Sequence, residues 1–373
     1  MSDPAQTLSL TALHALHRSL GARLVPFAGY DMPVQFPAGI LAEHLHTRAK
    51  ASLFDVSHMG QIRLSGPDAA AALESLVPAD IIGLPVGRQR YTFFTNDAGG
   101  ILDDLIVANA GDALLIVVNA SRKAEDLAWL QSSIGTRCRI DPMFERALLA
   151  LQGPAASRVM AAFAPISPAM KFMQFARFAF DGIEFSLTRS GYTGEDGFEI
   201  GLPAVDAERF ARRLLADSEV LPAGLGARDS LRLEAGLCLY GHDIDGETTP
   251  VEAALEWAIP KIRREGGARA GGFPGAPIIL RQIEGGTTRR RVGLIPEGRA
   301  PIREGEVLFN ADRVAIGRVT SGGFGATVNG PIAMALVDAG FTAPGTLLTA
   351  VVRERPRECR VVRLPFVPQR YHR

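Results

Sequence analysis

The patterning of this chain predicts an α+β body followed by a β-rich C-terminal domain, and three observations carry that reading. Apolar residues at helical spacing are interleaved with short strand-like runs along the first part of the chain. A Gly-, Pro- and Arg-rich stretch, RREGGARAGGFPGAP, spans residues 263–277 and reads as a linker. Beyond Arg289 only short apolar runs remain, divided by Gly, Pro and Asn-Gly, which is the pattern of a small antiparallel sandwich or barrel.

Taken in order, residues 8–20, 40–50 and 67–77 place apolar side chains at helical spacing, and Gly66-Pro67 opens the third helix. Strand-like runs fill 61–65, 91–95, 101–109 and 113–118. The stretch VVNASRKAEDLAWLQSSIG reads as a buried strand, a Ser121 cap and a helix stopped by Gly135. ALLALQGPAASRVMAAF gives strand, turn and helix again. Residues 183–202 form two strands around a Gly-rich turn, and AVDAERFARRLLADS is an amphipathic helix. After the linker come RRVGLI, VLF, RVAIGRVTS, PIAMALV, LLTAVV and CRVVRLPFV, all short and apolar.

Composition narrows the function. With 373 residues, 47% of them hydrophobic, the chain can bury several cores. Forty basic side chains balance forty acidic ones, which argues against a nucleic-acid binder. No apolar run approaches the ~18 residues of a bilayer span. No basic-then-apolar targeting pattern is readable at the start, so a cytoplasmic location is expected. Cys138, Cys238 and Cys359 are too scattered for a disulfide framework or a C-x-x-C site. The histidines form no H-E-x-x-H, so no metal centre is expected. There is no phosphate-binding G-x-x-x-x-G-K-[ST] and no G-x-S-x-G, while GLGARD at 224–229 lacks the third glycine of a dinucleotide fingerprint.

Four segments carry candidate chemistry. In NDAGGILDDLIVAN, residues 96–109, a tight turn leads into a strand. Strand alternation puts Ile101, Asp103, Leu105 and Val107 on one face, and Leu102, Asp104, Ile106 and Ala108 on the other. A carboxylate among apolar neighbours needs a partner, and alternation alone does not choose between the two aspartates or exclude a purely structural, amide-capping role. In SGYTGEDGFEI, residues 190–200, glycines at spacing three let the backbone approach a flat ligand, Tyr192 offers a ring and Glu199 a carboxylate; a hairpin with a solvated acidic turn at Glu195 and Asp196 is the plainer alternative. In LGARDSLRLEAGLCLYG, residues 225–241, Arg228 sits in a first helical turn, where the dipole disfavours a cation, which points to a partner elsewhere; the plainer alternative pairs Asp229 and Glu234 with arginines on one exposed face. In FDVSHM, residues 54–59, Phe54 and Met59 read first as core packing.

These segments together resemble the T-protein of the glycine cleavage system, the aminomethyltransferase family. FDVSHM, GGILDDLIV, SGYTGEDGFEI, GARDSLRLEAGLCLYG and PFVP occur in the family's order, and the likeness runs from PFAGYDMPVQF to PFVPQRY. Tyr30 stands where the family often has Trp. The resemblance implies a three-domain cloverleaf around a central folate channel: residues 1–50 plus 146–275 as a discontinuous first domain, 51–145 as an inserted α+β domain, and 276–373 as the β-rich third. It implies transfer of a methylene group from the aminomethyl group on the lipoyl arm of H-protein to tetrahydrofolate, with release of ammonia. By motif, it assigns the catalytic carboxylate to Asp103 and pterin binding to Glu199 and Arg228. It adds a folate contact at Tyr371, with Tyr91, Met59, Asn119 and Tyr192 lining the channel.

Two other users of this architecture fit less well. The folate-binding factor of iron–sulfur cluster maturation carries a K-G-C-Y-x-G-Q-E motif that is absent here, and folate-dependent demethylases diverge at the Asp-containing strand and the Gly-Tyr-Thr-Gly segment, both intact in this chain. The sequence does not place the H-protein interface: Arg263–Arg264 and Arg289–Arg291 can meet an acidic partner, or equally are solvated or pair internally.

Overall fold

A computed structural model describes residues 7–352 and 355–373. Residues 1–6, on which the reading of no targeting segment partly rests, lie outside the described residues. Among the described residues no helix is long and apolar enough to cross a membrane.

The chain forms three larger sheets, each with its own core. A six-stranded sheet runs in the order Phe175–Phe180, Ile183–Thr188, Gly197–Pro203, Arg146–Gln152, Ala51–Asp55, Val220–Pro222. All neighbours are antiparallel except the last pair. The helix Ala204–Leu215 seals one face, burying Ala207, Phe210, Ala211 and Leu214 against Leu149, Leu151 and Phe198.

Ser52 to Asp55 pair with residues 149–152, yet nearly a hundred residues separate them. The intervening chain builds a five-stranded sheet in the order Gln89–Thr95, Ile101–Asn109, Leu114–Val118, Gly60–Ser65, Arg139–Pro142. The helix Lys123–Ile134 packs there through Leu130 and Ile134, onto a core of Ile62, Leu64, Phe94, Leu105, Val107 and Ile116.

The C-terminal part is a closed six-stranded antiparallel barrel, Arg289–Pro296, Gly330–Asp338, Ala315–Gly325, Val307–Phe309, Leu347–Val352 and Arg355–Val362. Closure leaves the short apolar strands no free edge. Of the two alternatives that the sequence pattern allows, sandwich or barrel, the barrel is the one formed.

Some elements differ from the sequence-based expectation. The first helix is only His14–Ser19, because Ser9 is drawn into backbone pairing with the hairpin Arg23–Phe27 and Tyr30–Gln35. Ser9 N donates to the Gly29 carbonyl at 2.9 Å and Asp31 N to the Ser9 carbonyl at 3.0 Å. That hairpin turns through Ala28 and Gly29, both at positive φ, the backbone twist a two-residue turn requires. Ser121 does not cap the helix after it, since Arg122 occupies the N-cap position without any side-chain cap. The 263–277 stretch is no free linker: Arg263 is buried and donates to Glu74 Oε1 at 3.1 Å, and a helix already begins at Ala276.

Candidate active site

A cavity of about 2010 Å³ lies where the hairpin, both large sheets, the 235–260 segment and the barrel meet. Met59, Tyr91, Asn119, Tyr192, Glu199, Arg228 and Tyr371 all line it. The structure therefore brings together every site residue named from the sequence except Asp103.

Asp103 is fully buried on the core-facing side of the sheet, the side that Leu105 and Val107 share. Its neighbour Asp104 points the other way and stands in the cavity wall with Ile106. The residue that alternation left open is thus Asp104, and the motif-based placement of Asp103 at the channel moves by one position. Asn119, just after the strand Leu114–Val118, holds both carboxylates. Its Nδ2 donates to Asp103 Oδ1 at 2.9 Å and to Asp104 Oδ1 at 2.7 Å, and its backbone N–H donates to Asp103 Oδ2 at 3.0 Å. The Tyr91 hydroxyl donates to Asp104 Oδ2 at 3.0 Å. Burial and the neighbouring Asp103 charge push the Asp104 carboxyl up to about 7, so it exchanges a proton near neutral pH.

On the opposite wall Glu199 projects from the strand Gly197–Pro203, and Ser190 Oγ donates to its Oε2 at 2.6 Å. Arg228, from the helix Leu225–Glu234, places its guanidinium carbon 4.7 Å from the centroid of the Tyr192 ring. Its Nη1 is buried without a hydrogen-bond acceptor, and burial lowers its proton affinity while Glu199 opposes that effect. This misfit cation therefore meets an aromatic face and the charge of Glu199, while its buried Nη1 is left without an acceptor. Tyr192 donates its hydroxyl to the Cys238 carbonyl, and burial raises its pKa. Tyr371 stacks on Phe172 with ring centroids 4.2 Å apart, and burial pushes its hydroxyl up to about 12.

Sequence reasoning missed Trp257, which stacks on Tyr91 at 5.5 Å and is 64% exposed at the cavity. It also missed that the acidic turn is not solvated. Glu195 is 1% exposed and takes hydrogen bonds from Arg48 at 2.8 Å and Arg370 at 2.6 Å, and Arg189 grips Asp196. The arginines proposed for docking pair internally: Arg289 with Glu252, Arg290 with Glu256, Arg291 with the Ala253 and Gly236 carbonyls, and Arg264 with the Ile259 and Glu256 carbonyls. Among the described residues no group of three or more His, Cys, Asp or Glu side chains could hold a metal ion.

Known proteins resemble this chain over nearly its whole length. Residues 13–262 match the family model described as GCVT N-terminal domain, and 289–368 match the glycine cleavage T-protein C-terminal barrel domain. The mitochondrial aminomethyltransferase of Dictyostelium discoideum is 44% identical, covering 98% of this chain and 94% of its own length. The human mitochondrial aminomethyltransferase is 43% identical over 100% of this chain and 93% of its own. The crystal structure of glycine cleavage system aminomethyltransferase T from Bartonella henselae superposes with a TM-score of 0.93 at 46% identity, covering 98% of this chain and all of that one. The chain belongs to the glycine cleavage T-protein family of aminomethyltransferases.

Proposed function

We propose that this chain transfers the methylene of the aminomethyl group carried on the lipoyl arm of H-protein to tetrahydrofolate. The products are 5,10-methylenetetrahydrofolate, ammonia and dihydrolipoyl H-protein. The observation that carries the reading is the placement of Asp104, a carboxylate titrating near neutrality, in the wall of the cavity that also holds Glu199 and Arg228.

The residues suit a pterin. The buried, unpartnered Nη1 of Arg228 can donate to a ring acceptor, and Glu199 can accept from ring N–H groups while Ser190 steadies its other oxygen. Tyr371, held flat against Phe172, provides a fixed aromatic surface. Tetrahydrofolate supplies the nucleophilic nitrogen that accepts the one-carbon unit.

In this reading Asp104, rather than Asp103, is the catalytic group. Ionised, it stabilises the positive charge that develops on the one-carbon unit as ammonia departs, and it can accept the proton released on transfer. Tyr91 and Asn119 fix its two oxygens, so little reorientation is needed. Holding both reactants in one cavity is worth up to ~7–11 kcal/mol of barrier. In this reading three domains surround the cavity: residues 1–55 with 146–275, 56–145, and 276–373; the boundary expected after residue 50 moves to 55, because the strand Ala51–Asp55 pairs with Arg146–Gln152 and Val220–Pro222 in the six-stranded sheet.

The test is ammonia release from aminomethylated H-protein with the purified protein, with and without tetrahydrofolate. Fast release only with tetrahydrofolate, matched by methylenetetrahydrofolate, is expected. Folate binding without release would replace the transferase reading by one of binding alone or of demethylation.

A further inference from the structure

Behind Asp104 lies a carboxyl that the proposed chemistry does not use. Asp126, on the helix Lys123–Ile134, is 2% exposed and does not line the cavity. Its Oδ2 is buried and meets no N–H or O–H donor. The group within hydrogen-bonding reach is the Asp103 carboxyl, itself fully buried. Two carboxylates cannot both stay ionised at that range, so the pair keeps one proton.

Hydrogen bonding decides where it resides. Asp103 accepts one Asn119 N–H on each oxygen, which favours its charged form, whereas Asp126 has no such donor. The other ionisable groups around the pair are Arg122 at the N-cap and Glu125 in the first turn of the helix of Asp126, Tyr240, and Asp104 on the strand of Asp103. Arg122 lies 5.8 Å from the Tyr240 ring centroid and is bonded to neither carboxyl, so it moderates the pair without neutralising it. Burial, then the Asp103 charge, pushes the Asp126 carboxyl up to about 9.

We infer that Asp126 is a positioning residue: held protonated, it donates to Asp103, keeps Asp103 ionised, and through that fixed charge and the shared Asn119 sets when Asp104 gives up its proton. The inference rests on Asp104 acting as proposed above. Without the Asp126 donor, Asp103 binds a proton more tightly, the charge beside Asp104 fades, and Asp104 ionises at lower pH.

The experiment uses the full chain with H-protein and tetrahydrofolate, comparing Asp126→Asn, which keeps an uncharged donor, with Asp126→Leu, which does not. The acid limb of kcat against pH is expected to move down by about half a pH unit or more in Asp126→Leu, with KM for tetrahydrofolate within about twofold, and to stay in place in Asp126→Asn. An unmoved limb in folded Asp126→Leu, or an equal displacement in both variants, overturns the inference. If Asp126→Leu does not fold, or the wild type shows no turnover, infrared spectra decide. Near pH 8, between the Asp104 and Asp126 values, the wild type is expected to show a protonated-carboxyl band that Asp126→Asn lacks. Absence of that band from the wild type refutes the protonated Asp126 whatever reaction the protein catalyses.

Discussion

Arg228 and Tyr192 form a half-finished contact: the guanidinium lies 4.7 Å from the ring centroid, and its Nη1, buried, has no acceptor. An orphaned charged donor is costly to bury unless a ligand completes it. Replacing Arg228 by Ala is expected to weaken tetrahydrofolate binding at least tenfold, about 1.4 kcal/mol or more, by calorimetry. Arg228→Lys is expected to recover little, since an ammonium lacks the planar fork. Full affinity in either variant would remove Arg228 from the ligand site.

Asp104→Asn is expected to lower kcat by about 100-fold or more while tetrahydrofolate affinity stays within about threefold. Because the ionised carboxylate is the working form and the group titrates at about 7, wild-type kcat should rise with pH through that value. Asp103→Asn removes the adjacent charge and should move this limb to lower pH. Single-turnover kinetics across pH would show both effects.

The Asp126 carboxyl also marks stability. Its folded value, about 9, exceeds the ordinary 3.8, so between those values the folded chain binds more protons than the unfolded one. Stability from this group is complete below the lower value and is lost as pH rises toward the upper, by up to about 1.4 kcal/mol per pH unit. Asp126→Asn should flatten the decline in urea midpoint between pH 5 and 9. An unchanged slope would contradict a protonated Asp126.

Glu234 shows the opposite sign. Burial pushes its carboxyl up, but His44, Thr327 and Arg48 outweigh that and hold it at about 2, against an ordinary 4.5. Its contribution is present above the ordinary value and is lost as pH falls through the folded one. Glu234 accepts from Arg48 at 3.0 Å, lies 3.0 Å from His44 Nε2, and accepts the Thr327 backbone N–H at 2.7 Å, joining the helix Leu225–Glu234 to the barrel. Glu234→Leu leaves Arg48 with one fewer partner in a dry setting and should cost about 3–5 kcal/mol in denaturant unfolding.

Local patterning made much of this architecture legible. The strand Ile101–Asn109 has the bounds that its alternation predicts, and the two faces hold the expected residues. What alternation lacks is an outside reference: which face meets the core depends on Leu105 and Val107 packing under the helix Lys123–Ile134, a contact between distant segments. The same holds for Glu195, whose partners Arg48 and Arg370 lie 147 and 175 residues away, so the turn looked solvated in one dimension. Arg228 is the exception, because its conflict with the helix dipole is local and points to an outside partner from the sequence itself.

Residues 366–373 leave the barrel and run back across the six-stranded sheet unit, with Val367 N donating to the Glu234 carbonyl, Arg370 N to the Gly194 carbonyl and Phe172 N to the His372 carbonyl. Tyr371, on this return path, closes against Phe172. The two faces of that aromatic stack are therefore made far apart in time during translation. While the ribosome still holds residue 371 in its exit tunnel, both sheets and much of the barrel can be folded outside, yet the cavity is missing this wall. A nascent chain in that state has the body of the cavity without its last aromatic wall.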